Sequence, residues 1–288
     1  MAKNDWIEII DIFYKTHNSY LEDFINSIDY FCPSSNHINI FNNEISVFSA
    51  KQLCKEKPGN WIPIYKKEDL CEYLLDNTIM PIRCGQAEFF FYKGEIIYDL
   101  KSIDSKSVSI EEYKLIDEFI PLTLENFHKN ENAFLNKALA LGIINHFVDI
   151  KELYLFRKSI QNKNYRRLLY GQFGKIKTNF EMKFKTTKGS KTINKGFQFE
   201  IDLVLENKDE IIIFEAKQGS KYRESFSLLQ LYYPLIYLAK ITKNKKKIRT
   251  VFIDIITKDC ENYKLTEFAF TDHNFDDVKI VKSLKYSI

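Results

Sequence analysis

With 288 residues, 45% hydrophobic and 15% aromatic, the chain can bury a sizeable core and is too apolar to stay unfolded. Its length suggests a C-terminal unit of about 160 to 170 residues preceded by a second unit. A formal charge of +3 does not by itself mark a nucleic-acid binder. The opening MAKNDWIEII mixes charges with apolar residues, unlike a signal peptide, and no stretch reaches the ~18 uncharged apolar residues of a membrane span. The expectation is a soluble, cytoplasmic protein. Cys32, Cys54, Cys71, Cys84 and Cys260 are odd in number and form no CxxC pair, so buried free thiols are expected rather than a disulfide framework or zinc ribbon.

Residues 1–118 read as an N-terminal α+β domain. An amphipathic helix is expected over 6–28, a turn at Pro33-Ser34-Ser35-Asn36, and breaks at Pro58-Gly59 and Pro81. The stretch 80–100 is β-rich, with Lys93-Gly94 read as a hairpin turn between FFFY and IIYDL. Residues 101–124, charged and rich in Ser and Asp at first, read as the connection to a second domain at 119–288. There a helix over 131–147 sets Glu131, Leu135, Ala138 and Gly142 on one face, so a carboxylate heads a core-facing stripe.

A basic helix over 151–168 is expected next, then Gly171 and Gly174 introduce strands at 180–184, 197–206 and 210–217, joined by Lys188-Gly189-Ser190 and by Asn207-Lys208-Asp209. A helical segment over 223–241, with Pro234 inside it, returns the chain to a strand at 250–257, the expected parallel partner of 210–217. A last hairpin, 263–270 with 278–283, closes the chain. The reading is an α/β fold with a central mixed sheet flanked by helices.

Charge is unevenly placed. Residues 157–195 hold twelve Lys or Arg against one acid, Glu181, so this segment carries +11 and the remainder −8. Interleaved Tyr165, Tyr170, Phe173, Phe180 and Phe184 make the block suited to a polyanion, because Lys and Arg contacts to phosphate supply most non-specific affinity for DNA.

Strand alternation sets Glu200, Asp202 and Val204 on one face of 197–206, and Ile211, Ile213, Glu215 and Lys217 on one face of 210–217. A strand of Ile and Phe ending in Glu-Ala-Lys places a carboxylate and an ammonium at the exit of a buried strand, which is costly unless something pairs them. A hard divalent cation, Mg²⁺, would do so with Asp202, Glu215 and the carbonyl of Ala216 as ligands. Such an ion supplies a hydroxide near neutral pH and charge stabilisation at phosphorus, and Lys217 is placed to orient the attacking water.

Asp202, twelve residues, then Glu215-Ala216-Lys217 on the next strand resembles the motif of the PD-(D/E)xK nuclease superfamily. NENA at 130–133 leading into LNKALALGIINHF, YGQFGKIKTNFEMKF, FEIDLVLENKDEIIIFEAKQG and SFSLLQLYYPLIYLAK extend the resemblance to bacterial type II restriction endonucleases over about 131–285, with MPIRCGQAEFFFYKGEIIYDL similar to their N-terminal region. The resemblance implies a restriction-endonuclease-like core, Mg²⁺-dependent cleavage of double-stranded DNA at a short specific sequence, and a cognate DNA methyltransferase as functional counterpart. It implies that Glu131 joins the metal site, with Glu200 as its rival, and that Gln230 touches the site or the DNA. Residues 1–118 would contribute to DNA recognition. One site cuts one strand, so double-strand cleavage suggests a homodimer. Two other readings are a repair or recombination nuclease of the same chemistry that reads DNA structure, and a DNA-binding protein without catalysis. The scattered histidines lack metal-ligand spacing, and His146 reads as structural.

Overall fold

The structure, a computed structural model, describes residues 7, 30–31, 67–83, 89–93, 97–99, 110–114, 130–148, 166–169, 176–186, 189–207, 209–219, 225–257, 261–271 and 278–288. Near the N-terminus, β1 (Tyr30–Phe31), a short helix α1 (Glu72–Asp76), β2 (Ile79–Arg83) and β3 (Phe89–Lys93) come first, and the three strands form an antiparallel sheet in the order β1-β3-β2. Pro81 lies in β2, an edge strand of that sheet, where a missing N–H is tolerated. Apart from Ile7, the helix expected over 6–28 lies outside the described residues, as do the turn at 33–36 and the Pro58-Gly59 break. Cys71, the cysteine among the described residues, is buried.

The hairpin expected across Lys93-Gly94 does not form. β3 pairs instead with β2, and the next strand, β4 (Ile97–Asp99), pairs with Ser225–Ser227, more than a hundred residues later. Lys-Gly is a weak turn signal beside Asn-Gly, and an apolar strand carries no mark of which partner it takes. β5 (Glu111–Lys114) falls within the stretch read as a connection, yet it joins the main sheet.

The helix expected over 131–147 is two helices, α2 (Glu131–Ala140) and α3 (Ile143–Phe147), divided at Gly142, whose φ of 75° lies in the left-handed region open to glycine. Residues 166–168, expected to end a basic helix, belong to β6 (Arg166–Leu169); the preceding part of that segment lies outside the described residues. β6 is an edge strand, where charged residues such as Arg166 and Arg167 are common, and pairing has overridden local propensity. β7 (Ile176–Thr186) and β8 (Gly189–Phe199) form a separate two-stranded ribbon. The strand expected over 197–206 is therefore broken: β8 stops at Phe199 and β9 (Leu203–Glu206) begins after Asp202.

β10 (Glu210–Gly219) follows β9 through a turn in which the Asn207 side chain accepts the N–H groups of Asp209 and Glu210. The crossover expected as one helix consists of β11 (Ser225–Ser227) and α4 (Leu229–Ile241). β12 (Lys247–Ile256), β13 (Asn262–Phe270) and β14 (Val278–Ser287) complete a seven-stranded sheet, β5-β14-β13-β12-β10-β9-β6. It is mixed: β10 and β12 are parallel over ten residue pairs, β14 and β5 are parallel, and the remaining pairs are antiparallel.

Alternation sends Leu203, Leu205, Ile212, Phe214, Ala216, Val251, Ile253 and Ile255 into a core closed by α2 and α3. The opposite face lies under α4 and β11, where Phe226 stacks on Phe252 at 3.8 Å between ring centroids. The protein is thus α/β, a mixed sheet flanked by helices on both faces. No helix among the described residues is long and apolar enough to cross a membrane. Replacing Gly142 by valine forces a branched side chain into the left-handed region and is expected to destabilise the fold by about 1–2 kcal/mol, measured by urea denaturation.

Candidate active site

Past Phe214, β10 emits polar residues from an apolar interior. Glu215 is only 6% exposed, and it lies on the sheet face covered by α4. The β9–β10 register pairs Phe214 with Leu203, so one residue further Glu215 stands opposite Asp202, just ahead of β9. Asp202 Oδ2 accepts the N–H of Ala216 at 2.9 Å, and this bond holds the carboxyl where the ladder ends. In an extended strand N–H and C=O of one residue point to the same side, so the Ala216 carbonyl is also directed toward Asp202.

The Lys217 ammonium lies 2.7 Å from Glu215 Oε1 and 3.3 Å from Glu131 Oε2. Glu131 reaches it from the first turn of α2, whose start is set by Asn130: the Asn130 side chain accepts the N–H of Ala133 at 2.9 Å. The second oxygen of Glu131 accepts the backbone N–H of Gln218 at 3.3 Å, so one carboxylate bridges a side chain and the main chain of β10. α2 is pinned in turn by Lys137, which pairs with Glu261 at 2.6 Å, and Glu261 also accepts the Tyr263 hydroxyl through its other oxygen.

On the other face of the sheet, Gln230 in the first turn of α4 donates Nε2 to Glu215 Oε1 at 2.9 Å. Its own Oε1 is buried and has no hydrogen-bond partner among the described residues. Pro234 lacks the N–H that would have met the Gln230 carbonyl four residues earlier, so the helix is loosened at the turn that carries this amide.

Three carboxylates thus face one ammonium. Burial, and then the nearby Asp202 charge, push Glu215 from 4.5 up to about 8, against the pull of Lys217. Burial likewise raises Asp202, opposed by Lys217 and by the Ala216 N–H. For Lys217 burial disfavours the charge, but Glu215, Asp202 and Glu131 outweigh it and hold the ammonium pKa above the usual lysine value. The centre holds more negative charge than its lysine neutralises.

The structure therefore brings together Asp202, Glu215, Ala216, Lys217, Glu131 and Gln230. Glu200 is exposed, whereas Glu131 contacts Lys217 directly. His146 bonds through Nδ1 to the Tyr286 hydroxyl at 2.8 Å, away from these groups. Sequence reasoning missed Asp254, 2% exposed on β12 as the register partner of Lys217, and Lys264, 6% exposed on β13 as the register partner of Asp254. The available signal was an acid in the middle of the apolar strand TVFIDIIT, where a buried charge demands a reason. Among the described residues, no three His, Cys, Asp or Glu side chains group so as to hold a metal ion by themselves.

Fold and site define an α/β protein with a mixed sheet and a carboxylate–lysine centre at the exit of a buried strand. The chain belongs to the family described as Domain of unknown function (DUF6997), which matches residues 93–287 and includes every residue of the centre. No curated protein matches the sequence. Among solved structures, the crystal structure of SSO0001 is 15% identical, over 50% of this chain and 69% of that one, with a TM-score of 0.20.

The raised Glu215 pKa has a consequence for stability. The folded state binds this proton more tightly than the unfolded chain, so the contribution is complete below about pH 4.5 and is lost as pH rises toward 8. In EDTA, the melting temperature of the wild-type protein is expected to fall between pH 5 and 8.5 more steeply than that of Glu215→Gln, read by thermal denaturation across that range; parallel curves would contradict the assignment.

Proposed function

We propose that this protein is a Mg²⁺-dependent type II restriction endonuclease of the PD-(D/E)xK kind, with a restriction-endonuclease-like core, hydrolysing duplex DNA at a short specific sequence. The observation that carries the reading is the gathering of Glu131, Asp202, Glu215 and Lys217 at one end of β10, from positions as far as 86 residues apart in sequence. An Asp opposite a Glu-x-Lys strand end, under a helix that contributes a further acid, is the arrangement that the resemblance calls for.

The residues fit a hard divalent ion. Asp202, Glu215 and the Ala216 carbonyl would hold it, all of them oxygen donors, and two carboxylates with water completing the shell suit Mg²⁺. The excess negative charge and the buried, unbonded Gln230 Oε1 next to Glu215 also favour a cation here. When bound, the ion lowers the pKa of a water ligand and offsets charge developing at phosphorus. The protein's own groups do the rest. The Lys217 ammonium orients the water that attacks phosphorus and stabilises the added negative charge as the ester oxygen leaves. Glu131 holds that ammonium in place, and Gln230 fixes the rotamer of Glu215.

The same reading makes residues 1–118 a DNA-recognition unit and 119–288 the catalytic domain. It has a homodimer cut both strands in the cytoplasm, opposite a cognate methyltransferase. The test is incubation with unmethylated phage DNA and Mg²⁺, with and without EDTA, followed by sequencing of the ends. Discrete fragments with a common end sequence support it; a smear favours a structure-reading nuclease, and intact DNA a binding protein. Asp202→Ala is expected to abolish cleavage while duplex binding in Ca²⁺ stays nearly intact, and Lys217→Ala to lower kcat by about 10²–10⁴-fold.

A further inference from the structure

The ribbon of β7 and β8 stands apart from the sheet that carries the centre. Each strand has eleven residues, and among the described residues the two pair only with each other, from Ile176↔Phe199 to Thr186↔Gly189. At about 3.3 Å per residue such a ribbon runs ~36 Å, close to one turn of B-form duplex, and a two-stranded ribbon is narrow enough to lie along a DNA groove.

Its charge is concentrated. Residues 176–199 hold six lysines against Glu181, a net +5, which leaves −2 for the rest of the chain. The register divides these positions into two sets. Lys177, Lys183 and Lys185 share a face with Gln198, Thr192 and Ser190, and that face holds no apolar residue along its whole length; Lys191 and Lys195 occupy the other face, opposite Phe184 and Phe180.

The base of the ribbon is tied to the centre in two ways. Only Glu200 and Ile201 separate the end of β8 from Asp202. The Phe199 ring packs edge-on against Tyr237 of α4, the helix whose first turn carries Gln230, at 5.5 Å between centroids. A basic, polar-faced arm thus starts beside the acidic centre.

We infer that the β7–β8 ribbon is a docking arm for the phosphate backbone of duplex DNA, guiding the strand to be cut toward Asp202 and Glu215. Charge complementarity commits the arm to a polyanion. Duplex DNA as that polyanion rests on the nuclease reading above.

The test measures affinity for a fluorescein-labelled 30-base-pair duplex in EDTA as a function of salt, for the wild type and for a Lys177→Ala, Lys183→Ala, Lys185→Ala triple variant of the polar face. The variant is expected to bind at least about tenfold more weakly and to lose about 0.9 from the salt slope for each lysine removed. In Mg²⁺ its KM for cleavage rises with kcat little changed. A wild-type melting temperature confirms that the variant is folded. Should it not fold, lysine acetylation footprinting of the wild-type protein answers the same question: protection of Lys177, Lys183 and Lys185 by the duplex is expected.

An unchanged salt slope in a folded variant, or equal acetylation with and without DNA, overturns the arm. Protection by duplex RNA but not DNA overturns the partner. Cleavage with an indifferent ribbon sinks the arm and leaves the nuclease. Ribbon-dependent binding without any cleavage does the reverse.

Discussion

Everything around the centre follows from one constraint: β10 runs through the middle of the sheet with Ile211, Ile212, Ile213 and Phe214 all buried, and then must present a carboxylate and an ammonium before it reaches water. Charges in such a place are costly unless compensated by partners close enough to replace the lost hydration. The Glu215–Lys217 contact meets part of that need, and its remainder is distributed over elements on both faces of the sheet. α2 contributes Glu131 from one side and α4 contributes Gln230 from the other, while the residue just ahead of β9 contributes Asp202. The packing of these helices is therefore part of the electrostatics. Lys137, held by Glu261, and Tyr263, which donates to the same Glu261, matter because they anchor α2.

How much of this could be read in the sequence depends on whether the controlling signal was local. The opposition of Asp202 and Glu215 was legible because a short turn at 207–209 joins two alternating strands, and the turn fixes their register. The parallel return to β12 was legible because a helical crossover demands it. Glu131 was legible only as a helix-start acid with a resemblance behind it, since nothing local says that α2 lands its first turn on Lys217.

Non-local pairings stayed hidden. β4 takes Ser225–Ser227 as its partner, and neither segment carries a trace of the other. The break between β8 and β9 was hidden for another reason: FQFEIDLVLE is β-rich throughout, and the change of sheet at 200–202 leaves no mark in composition. Asp254 was overlooked because an acid inside a strand reads as a local exception, whereas the register makes it the neighbour of Lys217.

The outer edges of the seven-stranded sheet carry a consequence for unwanted strand pairing between molecules. β14, ten residues long, is covered by the four-residue β5 along Leu284 to Ser287, a strand supplied from before residue 118. Without β5, the hydrogen-bonding groups at that end of β14 would be open, and open strand edges recruit strands from other molecules. The short segment 111–114 thus acts as a guard against aggregation, and a fragment beginning at residue 119 would keep the entire centre while losing its protection from self-association.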